Sequence, residues 1–279
     1  MSGFKPGGLT WVVDLPDPRD YTPDHEAVAR LLLDLKPRRR YPTSVDWREY
    51  CGPVEDQADL GTGAVHACLG LLAYCLRRAA GQTLDPSWWF LYQVAQRVAP
   101  QGACRLRTVC KAIVRFGVPA ERYWRYDPAG ADQQPDAFVY AAAKRFCTAR
   151  YVRLDARGEP PEARLARIKA FLAAGFACTL GFSVFTSISI DPEIPFPTIF
   201  DAVRGGQAVL AVGYDDNRRI RSDRGALLVR SSWGPAWGEG GYGWLPYAYV
   251  REQLARDFWT LLEPHWLASG EFQRPVWPS

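Results

Sequence analysis

Val229-Arg230-Ser231-Ser232-Trp233-Gly234-Pro235-Ala236-Trp237-Gly238-Glu239-Gly240-Gly241-Tyr242 is the stretch on which the fold turns. A strand-like run, Ala226 to Ser231, feeds a glycine-rich turn flanked by Trp233 and Trp237. Upstream lies Gly205-Gly206-Gln207-Ala208-Val209-Leu210-Ala211-Val212-Gly213-Tyr214-Asp215. Its two glycines lead into a strand over Ala208 to Tyr214, which excludes a phosphate loop, because such a loop opens a helix. Phe176 to Phe185 and Asp257 to Leu262 read as further strands, punctuated by glycine and proline.

The first half reads differently. Gly63 to Ala79 carries Val65, Cys68, Leu69, Leu72, Cys75 and Leu76 at the spacing of a buried helix, and Gly81 can close it in the left-handed conformation. Asp85-Pro86 reads as N-cap and first helical residue of a helix opening into Trp88 to Val98. Further helices are expected over His25 to Leu35, Arg105 to Phe116 and Pro161 to Ala174. Helices first and strands later indicate an α+β fold, with a cleft between the halves as the usual place for a site.

Composition narrows the function. About half of the 279 residues are hydrophobic and the formal charge is +4, which excludes a disordered chain. The scattered charge gives no case for nucleic acid, and Lys36 to Arg40 reads as a solvated linker. No apolar run reaches the length of a membrane span, and no signal-peptide core is visible, so a cytoplasmic protein is expected. Seven cysteines, an odd number, point to reduced thiols rather than a disulfide framework. No metal site or cofactor is expected: there is no C-x-x-C, only three histidines, and His66-x-Cys68 alone is a weak signal.

Three segments carry a further signal: Ser44-Val45-Asp46-Trp47-Arg48 with Pro53 to Gln57 and Leu60-Gly61-Thr62-Gly63, then Gly205 to Asp215, then Val229 to Tyr242. Their order and spacing resemble the papain-like cysteine peptidases from roughly Pro42 to Leu262. Leu9-Thr10-Trp11 to Pro16-Asp17-Pro18-Arg19-Asp20 is similar to the short arm of bacterial members. The resemblance implies an arm over 1–45, a mainly helical half over 46–135, a mainly antiparallel, β-barrel-like half over 136–265 and a tail over 266–279.

Papain-type catalysis uses a thiolate at a helix N-terminus, an imidazole that generates it, and a polar side chain that orients the imidazole. The resemblance matches these positions to Gly63, Gln207 and Ser231. Gly63 has no side chain, and Gln207 cannot exchange a proton near neutral pH. Gln57 matches the oxyanion-hole glutamine, and Leu60 matches a disulfide cysteine of secreted members. The implied cleft comprises Gln57, Thr62, Gly63, Gly102, Cys104, Gly206, Gln207, Ser231 and Trp233. The helix N-terminus at Gly63, beside Gln57, also suits an anion such as a peptide carboxylate.

The expectation is therefore a catalytically inactive pseudo-peptidase, not an enzyme, that binds a peptide or protein partner. Two rivals stand beside it. One is an enzyme with a displaced site built on Cys104, Thr62 or His66, and the other is a structural subunit whose cleft is filled by residues 1–45.

Overall fold

The computed structural model describes residues 4, 6–38, 40–128, 133–144, 146–156 and 158–277. Helices α1 (Glu26–Leu33), α2 (Gly63–Ala80), α3 (Trp88–Val98), α4 (Leu106–Phe116) and α5 (Ala137–Ala142) fall mostly in the first half. Strands β1 (Ser44–Asp46) and β2 (Arg150–Arg153) precede helix α6 (Pro161–Ala173). The second half holds β3 (Cys178–Phe185), β4 (Val203–Ile220), β5 (Asp223–Arg230), β6 (Tyr242–Pro246) and β7 (Ala255–Leu262), with short helices α7 (Tyr247–Arg251) and α8 (Pro264–Leu267).

The strands form one antiparallel sheet in the order β2-β7-β3-β4-β5-β6, with β1 added to the far half of β4. The sheet stays open, which corrects the barrel-like expectation: β4 pairs with β3 through its first half and with β5 and β1 through its second, and β6 does not return to β2. Register shifts within β4–β5 bend this long strand without closing the sheet.

Helix α2 links the two halves. Every residue from Gly63 to Leu72 is buried, because one side packs on β4 and β3 and the other on α3 and α4. A helix enclosed on all sides is apolar all round, and each fully buried leucine contributes about 1.5–3 kcal/mol relative to exposure. Gly81 ends α2 at φ 62°, its N–H donating to Arg77 O at 2.8 Å. Cys68 and Cys75 are core residues, and burial pushes the Cys75 thiol up to about 12.

Two local expectations change. The cap of α3 is Ser87, whose hydroxyl accepts from Phe90 N–H at 3.1 Å, while Asp85 lies outside the helix and exposed. The basic run is docked: Pro37 bridges to Arg274, and Arg38 donates to Arg274 O and to Gln273 Oε1. Arg39 lies outside the described residues. No helix among the described residues is long and apolar enough to cross a membrane.

Candidate functional site

The start of α2, the first half of β4 and the end of β5 converge on Gln57. This side chain is 2% exposed, and the Gln57 N–H donates to Ser232 O at 2.8 Å. Its Oε1 accepts from Ser232 Oγ at 2.6 Å and from Gln207 Nε2 at 3.1 Å. Gln207 Nε2 also lies 3.3 Å from Ser232 Oγ, so two amides and a hydroxyl close a small network. That network covers Gly63: a Cβ there would stand 2.9 Å from Gln207 Oε1 and 3.1 Å from Gln57 Oε1.

The structure thus brings Gln57, Gly63 and Gln207 together. Among the described residues no hydrogen bond joins Gln207 to Ser231; the Ser231 hydroxyl is buried without a partner and borders a cavity of about 90 Å³ shared with Glu55, His66 and Arg230. Ser232, which sequence reasoning passed over, takes its place in the network. Thr62 is the buried N-cap of α2, and its side chain makes no capping bond. Gly102 sits against α3, where a Cβ would overlap Ala95 O.

His66, one turn into α2, pairs through Nδ1 with Glu55 Oε2 at 2.5 Å and lies against the Trp88 ring. Burial raises the Glu55 carboxyl, but the His66 hydrogen bond and charge, with Arg230, outweigh it and hold Glu55 below the usual carboxylate range.

The cleft is occupied by the chain's own arm. Phe4 meets Trp233 edge-on with ring centroids 5.8 Å apart. Gln57 Nε2 donates to Gly8 O and to Leu60 O, both at 3.2 Å, with Gly7 O at 3.4 Å. Trp11 N–H donates to Gly206 O and Val12 N–H to Cys104 O, both at 3.0 Å. The amide of Gln57 therefore faces neutral peptide carbonyls of the arm and of Leu60. The arm leaves through Asp14, whose N–H donates to Asp257 Oδ2 at 2.8 Å and whose carboxylate accepts from Arg107 N and Trp259 Nε1. Gly7, Gly8 and Gly181 were not singled out from sequence, and Trp11 only as part of the arm; the available signal was glycine in the cleft segments opposite large residues of the arm.

No family model matches the chain. An uncharacterized peptidase C1-like protein of Acanthamoeba polyphaga mimivirus is 31% identical over 220 residues, covering 75% of this chain and 69% of that protein. Human cathepsin L2 is 26% identical over 226 residues, covering 76% of this chain and 61% of that protein. Among solved structures, xylellain, a cysteine protease from Xylella fastidiosa, has a TM-score of 0.73 at 28% identity, covering 92% of this chain and 96% of that one. The procathepsin B S9 of Trypanosoma congolense, at 14% identity and TM-score 0.65, shares the fold. These neighbours overturn the expectation that the chain is not an enzyme: xylellain is a cysteine protease, and Gly63, Gln207 and Ser231 are by themselves no positive sign of inactivity. On the mimivirus match and the shared fold, the chain belongs to the papain-like, C1-like family of cysteine peptidases.

Proposed function

We propose that this chain recognises an extended peptide segment in its papain-like cleft and acts on a peptide or protein partner through that recognition. One observation carries the reading: the arm is held through its backbone, with Gly8 O on Gln57 Nε2 and Trp11 N–H on Gly206 O. Backbone bonds of this kind accept any extended segment of fitting side chains. The seven unpaired cysteines support a reducing, cytoplasmic setting.

A second reading, hydrolysis by displaced groups, is favoured by the His66–Glu55 pair. A carboxylate on Nδ1 orients an imidazole and leaves its other nitrogen for proton transfer.

Both readings meet one experiment. A proteome-derived peptide library is incubated with the unsubstituted protein and with Trp11→Ala, which loosens the arm, and is read by mass spectrometry. Retained peptides, enriched by Trp11→Ala, are the expected result. If neither protein retains a peptide, the recognition reading fails. Cuts abolished by His66→Ala establish the second reading, and the absence of such cuts removes it.

A further inference from the structure

We propose that the cleft selects segments in which two consecutive glycines are followed, three residues after the second, by a large aromatic side chain. This inference rests on the peptide-recognition reading and gives the ligand class of the same site. It follows from a reciprocal arrangement of small residues on the two sides of the contact.

Where the arm lacks side chains, the cleft presents backbone. A Cβ at Gly7 would overlap the Asp59 carboxylate and lie 2.8 Å from Ala58 O and 3.0 Å from Asp59 Cα. Gly8 adopts φ +61°, a conformation that L side chains rarely take, and a Cβ there would overlap Leu60 O. The wall cannot readily withdraw. Leu60 O accepts from Gln57 Nε2 and Thr62 N, Leu60 N donates to Gln57 O, and Ala58 N donates to Asp56 Oδ1 at 2.8 Å.

Where the arm has side chains, the cleft lacks them. Leu9 lies over Gly205, Thr10 over Gly61, and the Trp11 ring over Gly181 and Gly206, each glycine having no room for a Cβ beside the arm residue it faces. Gly181 and Gly206 lie on neighbouring strands: Gly181 pairs with Ala208 and Gly206 with Ser183, so the two glycines share one face and form a flat seat for a ring. The Trp11 indole N–H has no partner among the described residues, so the seat reads the ring's area and not a polar group.

The test uses the full chain carrying Gly8→Ala, which weakens its own arm, and a fluorescein-labelled synthetic peptide with the sequence of residues 6–14. Binding is read by polarisation, and exchange of the Trp11 and Val12 amides reports whether the arm has left the cleft. The expected results are arm amides less protected than in the unsubstituted chain, binding of the parent peptide, and about tenfold or greater weakening by Gly→Ala at the second glycine or Trp→Ala in the peptide. Replacing the peptide tryptophan with phenylalanine changes affinity by less than about threefold if ring area is what is read. Alanine peptides that bind as well as the parent overturn the inference while leaving peptide recognition standing. An arm as protected in Gly8→Ala as in the unsubstituted chain overturns it too, as does an open cleft that ignores the parent peptide but takes others. An open cleft that takes no peptide of any sequence sinks the recognition reading itself.

Discussion

A side chain at position 63 has no room while Gln207 holds its present place. The amide ends of Gln207 and Gln57 stand 2.9–3.1 Å from where a Cβ would be, and Gln207 is fixed by Gln57 and Ser232. Adding a methyl group to such a site costs about 1–3 kcal/mol, against which alanine regains up to about 1 kcal/mol over glycine in a helix. Gly63→Ala is therefore expected to lower stability by roughly 1 kcal/mol. In a Gln207→Ala background the same change is expected to be neutral or stabilising. Urea midpoints for the four proteins of this cycle measure the coupling; equal effects in both backgrounds would mean that Gln207 is not what excludes the side chain. At this scale, the sequence was legible where a motif aligned. Gln57, Gly63 and Gln207 meet as their segments implied, whereas the role of Ser232 depends on how the chain leaves β5, which no local pattern records.

Among the elements, long periodic segments declared themselves and short ones did not. α3 ends at Val98 as its pattern predicts but starts at Trp88, two residues after the expected first helical residue Pro86, and α2 and α4 lie within a residue of expectation. β1, β2 and β6 run for only three to five residues, so alternation has little room to show; β6 is buried throughout and has no polar face to mark it. β4 runs on to Ile220, past the expected end at Tyr214, because there it folds back on β5 through a tight hairpin, Ile220 pairing with Asp223, while β1, far away in sequence, pairs with Gly213 to Asp215. The same competition between local and distant partners settles the cap of α3. Asp85 has a capping side chain, but its backbone carbonyl is engaged by Glu121 N–H, and Ser87 bonds both Phe90 N–H and Trp124 O. Ser87→Ala is expected to cost about 1–2 kcal/mol, because a buried cap and a tie to the following loop are lost together, and Asp85→Ala less than about 0.5 kcal/mol. Thermal unfolding of the two variants separates them, and a larger effect at Asp85 would restore the sequence-based assignment.

Across the whole molecule, the arm is anchored at a buried cluster of charge. Asp14 and Asp20 from the arm meet Asp155 and Asp257 from the sheet side, with Arg107 of α4 and Arg153 of β2 between them. Four carboxyls face two guanidinium groups, and burial raises all four; at Asp257, burial together with Asp14 and Asp155 raises the carboxyl from 3.8 up to about 8. A group raised on folding binds its proton more tightly in the folded protein. The stability it contributes is fully present below about pH 4 and is lost as the pH climbs through about 8. Asp14 belongs to the arm, so part of that loss falls on docking: the proton on Asp257 spares Asp14 a second buried negative charge. Arm release is thus favoured by alkali, by up to about tenfold per pH unit for one proton. Protection of the Trp11 and Val12 amides, corrected for base-catalysed exchange, is expected to fall between pH 5 and 9 in the unsubstituted chain. The fall should be flatter in Asp257→Asn and, as a check from the arm side, in Asp14→Asn. A decline of equal steepness in all three proteins would mean that the carboxyl cluster plays no part in holding the arm in the cleft.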